Sequence, residues 1–161
     1  MAIRDIRLFG DPVLNTVADE VVHFDAQLRR LVSDMLETMD NAGGVGLAGN
    51  QVGVARRVFV FDCQGMRGHL VNPVWRPLGE QMQHGREGCL SVPGITGDVT
   101  RHDTVVARGV DMFGRPAALR ATGLLARCIQ HETDHIDGVM FMRRMDSAQR
   151  KEVMSQIRRN G

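Results

Sequence analysis

The chain has 161 residues, 20 basic and 19 acidic side chains, a formal net charge of +1 and 43% hydrophobic residues, enough for one domain spanning 1–161 with no signature of disorder. Interspersed charge near neutrality excludes an electrostatic case for specific nucleic acid or an anionic membrane as the main partner and favours a small or peptide substrate. No apolar run approaches a membrane span of roughly 18 residues, the N-terminus lacks a charged-then-apolar leader, and Cys63, Cys89 and Cys128 stand at unrelated spacings, so a cytoplasmic chain without a disulfide framework is expected.

In chain order, Asp25 is placed to cap a helix whose Leu28, Leu31, Val32, Met35, Leu36 and Met39 recur at helical spacing and which Gly43-Gly44 stops. Arg57 to Asp62 and His69 to Val74 predict short strands, and Thr104 to Leu119 predicts a hairpin turning near Phe113-Gly114-Arg115-Pro116. A second helix starts after Thr122 or Gly123 and runs to about Asp137, with Leu124, Leu125, Cys128, Ile129 and Ile136 toward the core and Gly138 as its stop. A last helix follows Asp146-Ser147, with Val153, Met154 and Ile157 inside and Arg150, Lys151, Arg158 and Arg159 outside. Helices and antiparallel strands without regular βαβ alternation predict an α+β fold, its strands packed around the second helix.

That second helix carries His131-Glu132-Thr133-Asp134-His135. At 100° and 1.5 Å per residue, the two imidazoles point the same way one turn apart, and the glutamate beside them is placed to act on a water held by a cation. A solvated polar helix face is the plain alternative. A catalytic site of this type takes three protein ligands and keeps one position open, so a third must come from elsewhere. Cys128 lies about 10 Å along the helix axis from His135, too far to share one ion comfortably with both histidines, and reads as a core thiol, as does Cys63. Cys89 sits in Gly85-Arg86-Glu87-Gly88-Cys89-Leu90-Ser91-Val92-Pro93-Gly94, where glycines let backbone pass close to another object. A cation and a packed turn are both readings there. Proteases whose motif continues to a third histidine lose that ligand at Phe141, and those using a downstream glutamate would have only Glu152. The run Gly43-Gly44-Val45-Gly46-Leu47-Ala48-Gly49-Asn50-Gln51 is too glycine-rich for core packing alone; it lacks the GxxxxGK[ST] pattern of a phosphate loop. The Gln51 amide is either a donor for a developing oxyanion or a surface group.

Taken in order, GVGLAGNQ, EGCLS and QHETDH resemble the three signature motifs of the peptide deformylases, and GDPVLNTVA, LVNPV and TGLLARCIQHETDHIDGVMF extend the likeness over nearly the whole chain. The resemblance implies a hydrolase that removes the formyl group from nascent N-formylmethionyl peptides. It implies Cys89, His131 and His135 as ligands of one divalent ion, Fe2+ with Zn2+, Ni2+ or Co2+ as replacements. It also implies Glu132 as general acid and base, with Gln51 and the Leu90 N–H at the oxyanion. Val45 and Gly46 would pair with an extended peptide, Gly88 would lie at the substrate, and Val45, Leu124 and Cys128 would line an apolar methionine pocket. Glu87 is expected to pair with Arg101 and brace the Cys89 loop, and Asp134 to hold local geometry, unless either is a solvated charge.

Several positions depart from the family pattern. Gly49 replaces the usual alanine, which is expected to loosen the loop. Thr96 stands where some relatives carry a substrate-contacting arginine, Arg127 where many are aliphatic, and Arg143-Arg144 where an acidic residue usually leads a pair. These bear on substrate preference and efficiency, not on the metal site. Transient ribosome contact through the basic residues of the last helix is a further reading. A non-catalytic binding module is another, and the presence of both Glu132 and Gln51 argues against it.

Overall fold

The Asp25 carboxylate accepts a hydrogen bond from Leu28 N–H at 3.0 Å and so starts helix α1, Ala26–Asn41, as the capping pattern predicts. In the computed structural model, which describes residues 2–160, Met1 and Gly161 at the ends of the expected 1–161 domain lie outside the described residues. Past the α1 C-terminus, strand β1 (Gly46–Ala48) and a 3-10 turn (Gly49–Val52) carry the glycine-rich run. Strands β2 (Val58–Cys63), β3 (Met66–Pro77), β6 (Thr104–Val110) and β7 (Pro116–Thr122) complete an antiparallel five-stranded sheet, ordered β1-β2-β3-β6-β7. The predicted strands and hairpin are there, β3 running longer than the apolar pattern indicates.

Strand β2 is buried on both faces, which is why VFVF reads as an apolar run rather than an alternation. Val58 and Val60 pack with Leu28, Val32, Met35 and Met39 of α1, whereas Phe59 and Phe61 pack with Ala126 and Ile129 of helix α2, Gly123–Ile136. Helix α2 is thus the central helix: residues 125–136 are all buried, the HETDH motif included.

Strands β4 (Met82–Gly88) and β5 (Thr96–His102) form a separate two-stranded antiparallel sheet that the sequence pattern does not predict. Its inward positions are Glu87, Gly97, Val99 and Arg101, so charge and glycine stand where apolar periodicity would have marked a strand. A third apolar cluster beneath it joins Val99 and Ile95 to Phe141 and Met142 of a 3-10 turn (Phe141–Arg144) and to Val153 of helix α3, Ser147–Asn160. The loop between β4 and β5 carries Cys89, so this sheet sets where the thiol sits relative to α2.

Candidate active site

Three donor atoms converge where the β4–β5 loop meets α2. Cys89 Sγ lies 3.2 Å from His135 Nε2, which lies 3.1 Å from His131 Nε2, and all three atoms fall within 4.8 Å of one another. For one tetrahedral ion with bonds of about 2.05 Å to nitrogen and 2.3 Å to sulfur, the corresponding edges are about 3.3 Å between nitrogens and 3.6 Å between sulfur and nitrogen. The donor set and its spacing therefore fit a Cys-His-His metal site with one position open. Cys128 stands outside it: burial pushes its thiol well above the ordinary range, and its Sγ points at the Val45 carbonyl, 3.6 Å away.

His131 presents Nε2 to this point because Glu87 Oε1 takes its Nδ1–H at 2.6 Å. Burial alone would raise the Glu87 carboxyl, but hydrogen bonds from His131 and Arg101 outweigh it and hold the group well below the usual carboxylate range. The expected Glu87–Arg101 pair is present at 2.5 and 3.1 Å, and Arg101 Nη1 also reaches Asp134 at 2.7 Å. Asp134 accepts two further bonds from Arg144, at 2.8 and 3.1 Å, so it is a buried bridge rather than a solvated charge. The sequence marks Arg144 and Arg127 only as departures from the family pattern and does not reveal these contacts; Arg127 Nη1 donates to Glu87 Oε2 at 2.7 Å. The available signal was spacing: Arg127 precedes His131 by four residues and so shares its helix face.

Glu132 stands beside the donors with Oε2 4.0 Å from His131 Nε2, and its Oε1 is buried without a partner among the described residues. Burial pushes this carboxyl up to about 7, partly offset by His131, which suits a group that both takes and gives a proton near neutrality. Gln51 is buried, not a surface group. Its Oε1 accepts the Ala48 N–H at 3.0 Å, which turns Nε2 toward Ser91 Oγ at 3.1 Å and Cys89 Sγ at 3.5 Å.

Gln51, Glu87, Cys89, His131 and Glu132 share one cavity of about 570 Å³, with His135 fully buried beside it, and the lining also includes Val45, Gly46, Gly88, Leu90, Leu124 and Cys128. Val45 and Leu124 are exposed at its edge and Cys128 is buried. Strand β1 is an edge strand along it. Val45 C=O takes the Asp62 N–H at 2.9 Å, so alternation turns the Gly46 N–H and C=O to the free side. The expected loosening at Gly49 is not found. A Cβ there would lie 2.7 Å from the Val54 carbonyl and 2.8 Å from the Arg56 carbonyl, so the loop closes tightly over this glycine.

A family model described as polypeptide deformylase matches residues 3–151. Peptide deformylase 1 of Corynebacterium efficiens is 60% identical, the match covering 98% of this chain and 96% of that protein. Peptide deformylase of Acidothermus cellulolyticus is 55% identical over 98% of this chain and 87% of its own length. Among solved structures, a peptide deformylase from Legionella pneumophila superposes with a TM-score of 0.91 at 37% identity, covering 99% of this chain and 95% of that one. One from Synechococcus elongatus in complex with actinonin gives 0.88 at 39% identity, covering 95% and 86%. With likeness of this depth running from end to end, and the α+β architecture shared, the chain belongs to the peptide deformylase family.

Proposed function

We propose that Cys89, His131 and His135 hold one divalent cation, Fe2+ in the native enzyme, and that Glu132, Gln51 and the Leu90 N–H carry the chemistry beside it. The chain is a metal-dependent hydrolase that removes the formyl group from N-formylmethionine at the start of nascent polypeptides. What carries the residue assignment is the convergence of a thiol and two imidazoles within 4.8 Å of one another, beside a cavity that an elevated carboxyl and an oriented amide also line. When bound, the cation supplies Lewis acidity, lowering the pKa of a water from 15.7 toward about 7.

Glu132 takes the proton from the attacking water as oxygen bonds to the formyl carbon. The Gln51 Nε2–H and the Leu90 N–H donate to the formyl oxygen as charge develops there, each such donor typically contributing about 10²–10³ in rate. Glu132 then gives its proton to the nitrogen as the C–N bond breaks, so formate and a free amine leave with atoms balanced. Gly46 offers its outward N–H and C=O to an extended peptide as an added strand, with Gly88 on the opposite wall. Val45, Leu124 and Cys128 form the apolar pocket for the methionine side chain. The close approach of Gly46 to Glu132 restricts the space for an acyl group, which favours formyl over bulkier ones.

The whole chain, 1–161, acts as one cytoplasmic catalytic unit in this reading; among the described residues no helix is long and apolar enough to cross a membrane. Arg150, Lys151, Arg158 and Arg159 are exposed on α3, and they supply a transient ribosome contact. Unchanged co-sedimentation with ribosomes after reversing those four charges would remove that part. The catalytic reading is tested by formate release from an N-formylmethionyl peptide under oxygen-free conditions, beside an endopeptidase assay. Formate without internal cleavage, lost in Glu132→Gln at unchanged metal content, is expected. Internal cleavage or persistent formate release in Glu132→Gln would overturn it.

A further inference from the structure

Arg127 lies at the lining of the cavity, but the hydrogen bonds of its guanidinium run away from the cavity, to β4. Its guanidinium lies along the inward face of β4, where Nε donates to Gln83 Oε1 at 3.3 Å and Nη1 to Glu87 Oε2 at 2.7 Å. Between those two residues stands Gly85, whose missing side chain leaves the room: a Cβ there would already be 3.3 Å from Nη2. Glu87 in consequence takes four hydrogen bonds. Oε1 receives Arg101 Nη2 and His131 Nδ1, and Oε2 receives Arg101 Nε and Arg127 Nη1.

We propose that Arg127 is a positioning residue for this reaction, a second cationic clamp on Glu87 that registers the Cys89 loop against the helix bearing His131 and His135. The inference rests on those three residues being the metal ligands. Arg101 holds Glu87 from β5, the neighbouring strand, and reaches α2 only indirectly, through Asp134 at 2.7 Å, whereas Arg127 joins α2 to Glu87 without an intermediary. Arg127 and His131 both rise from α2 and grip opposite oxygens of the same carboxylate, and Glu87 stands two residues before Cys89. A slip of β4 along α2 stretches both contacts at once, and that slip is the motion that would carry the thiol away from the imidazoles. Arg127 is buried, so its hydrogen bonds are made without competing water. The fold tolerates its removal electrostatically, because Glu87 keeps Arg101 as a buried counter-charge.

The test compares wild type, Arg127→Met and Arg127→Lys, each loaded with cobalt. The readouts are the visible cobalt spectrum, the rate of cobalt release to excess chelator, Tm, and kcat and KM on an N-formylmethionyl peptide. Arg127→Met is expected to release cobalt about 10–100-fold faster with an altered spectrum, the usual cost of removing an outer-shell partner. Its kcat falls while KM stays within about twofold, because the hydrogen bonds that are lost go to Gln83 and Glu87 and not to substrate-pairing groups. Arg127→Lys, which keeps a cation within reach of Glu87, recovers most of the difference. A wild-type release rate and spectrum in Arg127→Met would overturn the clamp, as would equal impairment of the methionine and lysine variants, or a rise in KM alone. Stoichiometric cobalt binding by His131→Ala would instead show that the ligand assignment beneath it is wrong.

Discussion

Gly46→Ala should disable the enzyme while leaving it folded, because of what a single methyl group would meet. A Cβ built at position 46 lies 2.6 Å from Cys128 Sγ and 2.7 Å from Glu132 Oε2. An ordinary contact begins at 3.4 Å, so the carboxylate oxygen must retreat by 3.4 − 2.7, or 0.7 Å. Helix α2 is packed on all sides and cannot move as a body, so the displacement falls on the Glu132 side chain itself. A misplacement of about 1 Å costs about 10²-fold, which puts the expected loss in kcat at roughly 30- to 100-fold. Overpacking of this kind costs about 1–3 kcal/mol of stability. The assay is formate release at saturating N-formylmethionyl peptide, with metal content and Tm measured on the same preparation. Adding Cys128→Ala relieves the sulfur contact and should recover part of the Tm but not the rate, because the Glu132 overlap remains. A Gly46→Ala enzyme within threefold of wild-type kcat at equal metal content would refute the reasoning.

Gln51→Leu should cut kcat about 10²–10³-fold at unchanged metal stoichiometry, since it removes the Nε2 donor beside Cys89; a loss confined to KM would count against an oxyanion role. The helix cap Asp25→Ala should cost about 0.5–2 kcal/mol in urea unfolding with no change in kcat. Asp34 gives a pH dependence of stability. Burial alone would raise its carboxyl, but the Ala2 N–H at 2.8 Å and the Arg4 guanidinium at 3.0 Å outweigh it and hold it below its ordinary 3.8. A depressed folded value means stability that is full above the unfolded value and lost as pH falls through the folded one. Wild type should therefore exceed Asp34→Asn in unfolding free energy at about pH 6, and the gap should narrow as pH drops below about 4. A gap that widens in acid would contradict the assignment.

What could be read from the residues divides along a physical line. Helix α1 was legible because its cap, its apolar stripe and its glycine stop agree. The β6–β7 hairpin was legible from its turn. Strands β4 and β5 were not, because the fold buries Glu87 and Arg101 there as a paired charge and Gly97 against Met145 and Val153, leaving no apolar alternation to find. The two histidines follow from helix geometry alone. Cys89 does not, since its approach to α2 is made by a sheet the pattern hides; its glycine-flanked segment leaves a cation and a packed turn open, and the resemblance of EGCLS to a family motif is what implies the ligand. The expectation that Gly49 loosens its loop failed because the carbonyls of Val54 and Arg56, which fill the space of a side chain, come from a segment whose path sequence does not reveal.

X-ray absorption at the metal edge of anaerobically purified, metal-loaded protein tests the central claim most directly. One sulfur at about 2.3 Å and two imidazole nitrogens at about 2.0–2.1 Å are expected for a zinc-loaded sample, the sulfur shell vanishing in Cys89→Ser. A first shell of nitrogen and oxygen only, or a sulfur shell that survives Cys89→Ser, would contradict the account.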